Sequence, residues 1–424
     1  MKGSLADLGA AEAVRRLERR AVTAEALVAA CLERIAAEDP GIGAFEHLDA
    51  GAALAEARRI DALGTRPPLA GLPVAVKDIF DTADLPTERG SPAFRGRRPA
   101  KDAAAVARLR AAGAVILGKT VTTELAFYAP GKTRNPHDPA RTPGGSSSGS
   151  AAAVAAGFVP AALGSQTAGS MLRPASFCGV VGMKPTFGLV SMEGVSPFAP
   201  SLDTFGLFVR DVDALPLLLR AAGAPVPQPA HRGPPRVALC RTEQWPLAEP
   251  STRAIVEGVA QALARAGASV VERELGPEHA GLAEAQRTIM AAEAARTLAE
   301  IRREHGPLLS QVLRDFLAEG ERVGPEREAD ARARADRARA DLPQIFSGVD
   351  VLLTPAAIGE APLGLVSTGD PAFNRIWTLL GTPCVSLPGA RGPAGMPVGV
   401  QLVAAPGRDA DLVAAAGWVA AALG

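Results

Sequence analysis

Aromatic residues make up only 4% of this 424-residue sequence, with a single tyrosine and three tryptophans. So sparse a supply of rings disfavours base-stacking platforms for single-stranded nucleic acid. Charge of one sign is missing as well. Lys plus Arg number 45 and Asp plus Glu number 45, which argues against an electrostatic nucleic-acid or membrane surface. The four cysteines, Cys31, Cys178, Cys240 and Cys384, show no CxxC spacing. Neither a zinc site nor a disulfide framework is expected from them, and free thiols in a reducing cytosol fit better. No apolar run reaches the ~18 residues of a membrane span, because the best candidate, near 151, is broken by Gly157 and Pro160. The opening "MKGSLADLGAAEAVRRLERR" becomes charged too soon for a secretory signal. A cytoplasmic protein without cofactor, metal, nucleic-acid or membrane partner is the expectation.

What the chain has in quantity is core. Hydrophobic residues reach 47%, ample for a large folded body. Length alone allows two or three domains, although large α/β enzymes keep this many residues around one sheet. Residues 4–38 read as two amphipathic helices, the second starting near Thr23, and a third covers about 48–63. Short apolar runs read as strands at 71–78, 114–117, 159–166, 205–210, 236–240, 268–273, 351–355, 384–388 and 397–403. Helical patterns separate most of them, including one at 103–113 and another from about Ser150. This alternation predicts an α/β fold, a single large α/β/α sandwich with a mixed, mostly parallel central sheet covered by helices on both faces. "PAHRGPPR" (229–236) has linker composition, yet the strands flanking it read as one continuing sheet. Residues 321–341, rich in Glu, Asp, Arg and Ala, read as a solvated helix with i,i+4 pairs.

The stretch "TPGGSSSGS" (142–150) invites three explanations. A Gly/Ser linker has no reason to run straight into an apolar helix and strand. A P-loop needs a Lys after its last glycine, and none follows Gly149. Nucleophilic catalysis remains, and serine requires a base. None of the five histidines, His47, His137, His231, His279 and His305, lies in a G-x-S-x-G elbow. A neutral lysine serves instead where burial disfavours the ammonium form. Lys77, closing "PVAVK", and Lys119, closing "AVILGK", are both candidates on that ground. Each also has a plain reading as an exposed strand-end charge.

Four segments together are more specific: "GLPVAVKDIFD", "GAVILGKTVTTELAF", "TRNPHDPARTPGGSSSGSAAAVAAG" and "ALGSQTAGSMLRPASFCGVVGMKPT". With "FNRIWTLLGTPCVSLP" and "GMPVGVQLVAAPGRDADL" they resemble the amidase signature family of Ser-cisSer-Lys hydrolases. The likeness is dense over 65–215, good over 350–415 and loose over 216–349. It implies one domain over 1–424: N-terminal helices (1–65), signature core (66–215), a variable region (216–349) and the C-terminal part of the sheet (350–424). It also implies a triad in which Lys77 is the base, Ser146, after a cis peptide, is the bridge, and Ser170 is the nucleophile. Backbone N–H groups of Thr167, Ala168, Gly169 and Ser170 would form the oxyanion hole. Lys119 and Lys184 match family positions too but read as structural, and Ser147, Ser148 and Ser150 read as caps and loop hydrogen-bonders.

The sequence departs from the family around the nucleophile. Gln166 stands where Asp is usual, and Ala168 replaces a glycine, which is tolerable only at negative φ. Leu172 takes the usual Arg place, and the arginine moves to Arg173. "Q-T-x-G-S-x-x-R-P" resembles the malonamidase-type branch, in which this arginine grips a substrate carboxylate; the plain alternative is that Arg173 holds a loop or an internal acidic partner. The resemblance implies an amidase cleaving a small carboxamide to acid and ammonia, with malonamate as the type of substrate, and a homodimer is common among such amidases. Two alternatives stand beside it. One is the A-type catalytic component of a glutamine-dependent tRNA amidotransferase. The other is a catalytically silent scaffold on the same fold.

Overall fold

The structure, a computed structural model, describes residues 3–226, 228–230 and 233–424. His231 and part of the 229–236 segment lie outside the described residues. Eleven strands form one sheet: β1 Phe45–Leu48, β2 Pro73–Lys77, β3 Val115–Thr120, β4 Ala161–Gln166, β5 Val181–Lys184, β6 Thr204–Val209, β7 Arg236–Arg241, β8 Ser269–Glu274, β9 Val351–Pro355, β10 Cys384–Arg391 and β11 Pro397–Val403. Their order is β1-β3-β2-β4-β6-β5-β10-β11-β9-β7-β8. Every residue of β2, β3, β4, β6, β9 and β11 is buried. Alternate residues of a strand face opposite sides, so both faces of the central sheet are covered. Edge strand β8 differs. Glu272 and Glu274 are exposed there, and charge on an edge discourages pairing with another chain.

The α/β class is as expected, but the balance of strand directions is not. Four pairings are parallel (β2–β3, β2–β4, β7–β8, β7–β9) and the other six are antiparallel. The sheet is therefore mixed with antiparallel pairs in the majority, rather than mostly parallel. The reason lies in short connections. β10 and β11 join through a turn, and β5 and β6 return along β4 and β10 with no crossover helix between parallel neighbours.

Local chemistry sets the helix ends. Thr23 accepts from Ala26 N at 3.1 Å and starts the helix Ala24–Ile42, which Gly43 ends in the left-handed region at φ 68°. The sequence-predicted helix over 48–63 is Ala50–Asp61, capped by Asp49, with strand β1 before it. The charged stretch near 321–341 contains the helix Pro325–Ala340, which carries an i,i+4 pair between Arg332 and Glu328 (2.7 Å). It is not solvated all round. Ala331, Ala335 and Ala338 are buried, and Arg332 reaches Glu293 on the helix Leu282–Thr297 at 2.6 Å. Among the described residues, no helix is long and apolar enough to cross a membrane.

Candidate active site

Strands β3, β2 and β4 are adjacent and parallel, so their C-terminal ends share one edge of the sheet. Three segments issue from that edge. Lys77 closes β2, residues 121–128 follow β3, and the loop 167–170 follows β4. β6 runs antiparallel to β4 and brings Asp203, just before its first residue, to the same edge. Between these segments lies a small, partly open cavity. Ser146, Ser170, Thr167, Ala168, Gly169 and Arg173 all line it.

Lys77 is 0% exposed, not a strand-end charge in water. Its Nζ lies 2.6 Å from Ser146 Oγ and 2.9 Å from Ser165 Oγ. Burial pushes its pKa well below the usual lysine value, and the carboxylate of Asp203 opposes that shift. Lys119 has a different environment. It sits 2.9 Å from Asp78 in a buried ion pair and also donates to Thr87 Oγ1 and the Pro86 carbonyl. Lys184 donates to the carbonyls of Pro185 and Thr382. Of these three buried lysines, Lys77 alone has serine hydroxyls as its hydrogen-bond partners.

The Gly145–Ser146 peptide is cis. Gly144 has φ +82°, and a Cβ there would meet Pro174 Cα at 2.9 Å. The neighbouring serines hold the loop. Ser150 Oγ donates to Leu163 O (2.7 Å), Ser148 Oγ to Val121 O (3.3 Å), and Ser147 Oγ to Ser165 O (3.3 Å). Ser170 faces the cavity with Ser146, but among the described residues no hydrogen bond joins the two hydroxyls. Such contacts often tighten only around substrate.

The loop 167–170 is held from behind. Gln286 Nε2 donates to Thr167 O (2.8 Å), Thr378 Oγ1 to Ala168 O (2.8 Å), and Thr167 Oγ1 to Asp203 Oδ1 (2.5 Å). With these carbonyls engaged, the N–H groups of Ala168, Gly169 and Ser170 make no protein hydrogen bond among the described residues. Ala168 keeps a negative φ, so the missing glycine costs nothing there. Gly169 is required by close approach, since a Cβ would meet Asn374 Oδ1 at 2.4 Å. Gln166, at the usual Asp position, accepts from Met171 N (2.8 Å) and Leu172 N (3.2 Å) and donates to Thr378 Oγ1. It steadies the turn after the loop.

Arg173 is 2% exposed. Its Nη2 donates to Gly145 O (2.6 Å) and Thr368 Oγ1 (3.2 Å), whereas Nε and Nη1 are buried without a partner among the described residues. Burial lowers its pKa to about 10, so it stays charged at neutral pH. Among the described residues, no Asp or Glu lines the cavity. Asp370 is near enough to act on its charge, but makes no hydrogen bond to it among the described residues. A buried cation with two unpartnered donors can take an anionic group from outside the chain.

Sequence reasoning missed Ser165, Asp203, Gln286 and Thr378, which support the site, and Tyr128, Met290 and Thr368, which line the cavity. Ser165 adjoins a motif already singled out, and alternation along β4 was the signal that could have found it. Gln286 and Met290 come from the loosely matching region and carry no motif.

A model of the family described as Amidase matches residues 26–413. The chain is 34% identical to the A component of glutamyl-tRNA(Gln) amidotransferase from Koribacter versatilis, over 96% of each chain. It is 34% identical to 2-amino-5-chloromuconic acid deaminase of Comamonas testosteroni, over 99% of this chain and 97% of that one. A crystal structure described as an amidase superposes with TM-score 0.89 at 34% identity, covering 98% of this chain and 100% of the other.

Proposed function

The chain belongs to the amidase family and is an amidase, a hydrolase of carbon–nitrogen amide bonds; from that premise we propose that its substrate is a small carboxamide bearing a carboxylate, of the malonamate type. Lys77, Ser146 and Ser170 act as base, bridge and nucleophile. Neutral Lys77 accepts the Ser146 proton as Ser146 accepts the Ser170 proton. Ser170 Oγ then bonds to the amide carbon, whose oxygen takes up the negative charge beside the N–H groups of Thr167, Ala168, Gly169 and Ser170. Collapse breaks the carbon–nitrogen bond, and the proton returns along the same path to the departing ammonia. Water releases the acid by the reverse sequence.

The observation that carries the substrate class is the pair of unpartnered Arg173 nitrogens in a cavity with no acidic lining among the described residues. A substrate carboxylate supplies the missing acceptor. The deaminase among the relatives is itself named for an acid. Ammonia release from malonamate and propionamide tests the reading. Arg173→Ala is expected to raise KM for malonamate at least ~10-fold, the scale of a lost charged hydrogen bond, and to change propionamide little. Equal losses on both amides reject the clamp.

The amidotransferase relative favours a second reading, as the catalytic subunit of a glutamine-dependent amidotransferase. Glutamine also brings an α-ammonium, for which the described cavity lining offers no carboxylate. Ammonia release from malonamate but not glutamine by the purified chain sets this reading aside, and the opposite pattern installs it. Four buried free cysteines support a cytoplasmic setting.

A further inference from the structure

Tyr128, the chain's single tyrosine, lines the cavity with Ser170 and Arg173. Arg375 Nη2 donates to its hydroxyl at 2.9 Å. A guanidinium has donors only, so the phenol oxygen is the acceptor of that bond and its own hydrogen is left over. Among the described residues no acceptor takes it. Tyr128, Arg375 and Asp370 all lie near enough to Arg173 to act on its charge, but Asp370 does not line the cavity. The leftover O–H and the spare Arg173 N–H groups therefore belong to one corner of the cavity.

Arg375 has a second engagement. Its Nη1 donates to Gln286 Oε1 at 3.0 Å, and Gln286 Nε2 donates to the Thr167 carbonyl at 2.8 Å. Gln286 is 0% exposed, so this link is shielded from water. One guanidinium thus bridges a cavity phenol and the backbone of the loop that carries Ser170.

We propose that Tyr128 is a specificity-determining residue that donates its O–H to the substrate carboxylate held by Arg173, and that Arg375 and Gln286 are positioning residues tying this contact to the loop 167–170. The proposal rests on the carboxylate reading of Arg173. It makes the carboxylate serve twice, as a handle for binding and as the group that fixes the phenol, Arg375 and Gln286 behind the reacting carbonyl. An amide without the carboxylate leaves the O–H and the Arg173 N–H groups unpaired, and a site so built rejects such analogues strongly.

Malonate binding, measured by calorimetry on the purified chain, separates this proposal from the reading beneath it. Tyr128→Phe keeps the ring and removes the donor. It is expected to weaken malonate roughly 10-fold and to lower kcat/KM for malonamate to match, with a smaller loss on propionamide. Malonate that binds the parent, is lost in Arg173→Ala and is unchanged in Tyr128→Phe overturns the role of Tyr128 and leaves the clamp standing. Malonate that does not bind the parent overturns both. For the positioning arm, Gln286→Leu is expected to lower kcat on both amides together while malonate affinity holds. A malonate loss without a kcat loss overturns that arm. If Gln286→Leu does not fold, Arg375→Lys carries the kcat part of the test on both amides, since an ammonium cannot reproduce the two-pronged bridge, and unchanged kcat on both overturns the arm.

Discussion

In the proposed mechanism Lys77 accepts protons at neutral pH, so it must be kept from its own, and single residues around it divide that task. Burial lowers its pKa, and ionised Asp203 pulls the other way. Asp203 is itself buried, which raises its pKa to about 6, although Thr167 and the N–H groups of Phe198 and Ala199 favour its charged form. The native state thus holds the Asp203 proton more tightly than the unfolded chain. The stability this gives is complete below pH 3.8 and is lost as pH rises through about 6. Above that value the carboxylate is charged and raises Lys77. Asp203→Asn removes the charge and keeps a hydrogen-bonding group. The acid limb of the pH–rate profile is then expected to move to lower pH, because Lys77 gives up its proton more readily. A limb that stays put or moves upward contradicts the account. At this scale long motifs framed residues that the structure gathers in one place, Lys77 against Ser146, and Ser146, Ser170 and Arg173 around one cavity. Asp203, Gln286 and Tyr128 matter through contacts that no local pattern encodes. Gln286 meets Thr167 across 119 residues of chain.

Among the elements, the helix Ser148–Ala155 shows how "TPGGSSSGS" works. Its first turn lies directly on the chain that leaves β3. Val121 N donates to Ala44 O, and Gly149 N donates to Val121 O. A Cβ on Gly149 would meet Ala44 O at 2.3 Å and Val121 N at 2.5 Å, both backbone atoms that cannot swing aside. Gly149→Ala is expected to cost about 1–3 kcal/mol, the range for overpacking a tight interior. It should also lower kcat, because the displaced segments carry Ser146 on one side and residues 123–128 on the other. Thermal unfolding and turnover measured on the same preparation check this, and a stable variant with full activity rules it out. Most strands were readable because their apolar runs stand between turn residues. Two were not. "FEHL" (β1) is four residues with two polar positions, lying between the helices expected at 4–38 and 48–63 and overlapping the second only at Leu48. "VGMK" (β5) is four residues between a helix-ending Gly179 and Pro185. Short strands carry too little periodicity to separate from loops, and the direction of pairing depends on partners far along the chain.

For the molecule as a whole, buried titratable groups of two kinds set the pH of greatest stability. Lys77, Lys119 and Lys184 all have pKa values lowered by burial from 10.5. Between the lowered values and 10.5 the unfolded chain binds more protons than the native one, so stability rises with pH across that window. The cysteines act in the opposite sense. Burial raises Cys31 and Cys240 from 9.0 to about 12 and raises Cys178 and Cys384 as well. Their stability is complete below pH 9.0 and is lost as the unfolded thiols ionise above it. The two trends meet, and the melting temperature is expected to peak on the alkaline side, at about pH 9, instead of near neutrality. Lys77→Met separates the contributions. It should abolish turnover and raise the melting temperature at neutral pH, by a margin that shrinks as pH rises toward 10.5, above which the lysine is neutral in the unfolded chain too. Scans from pH 6 to 10 on parent and variant decide the matter. A parent optimum at or below pH 7, or a Lys77→Met gain that does not fall with pH, would show that Lys77 is not held neutral by the fold.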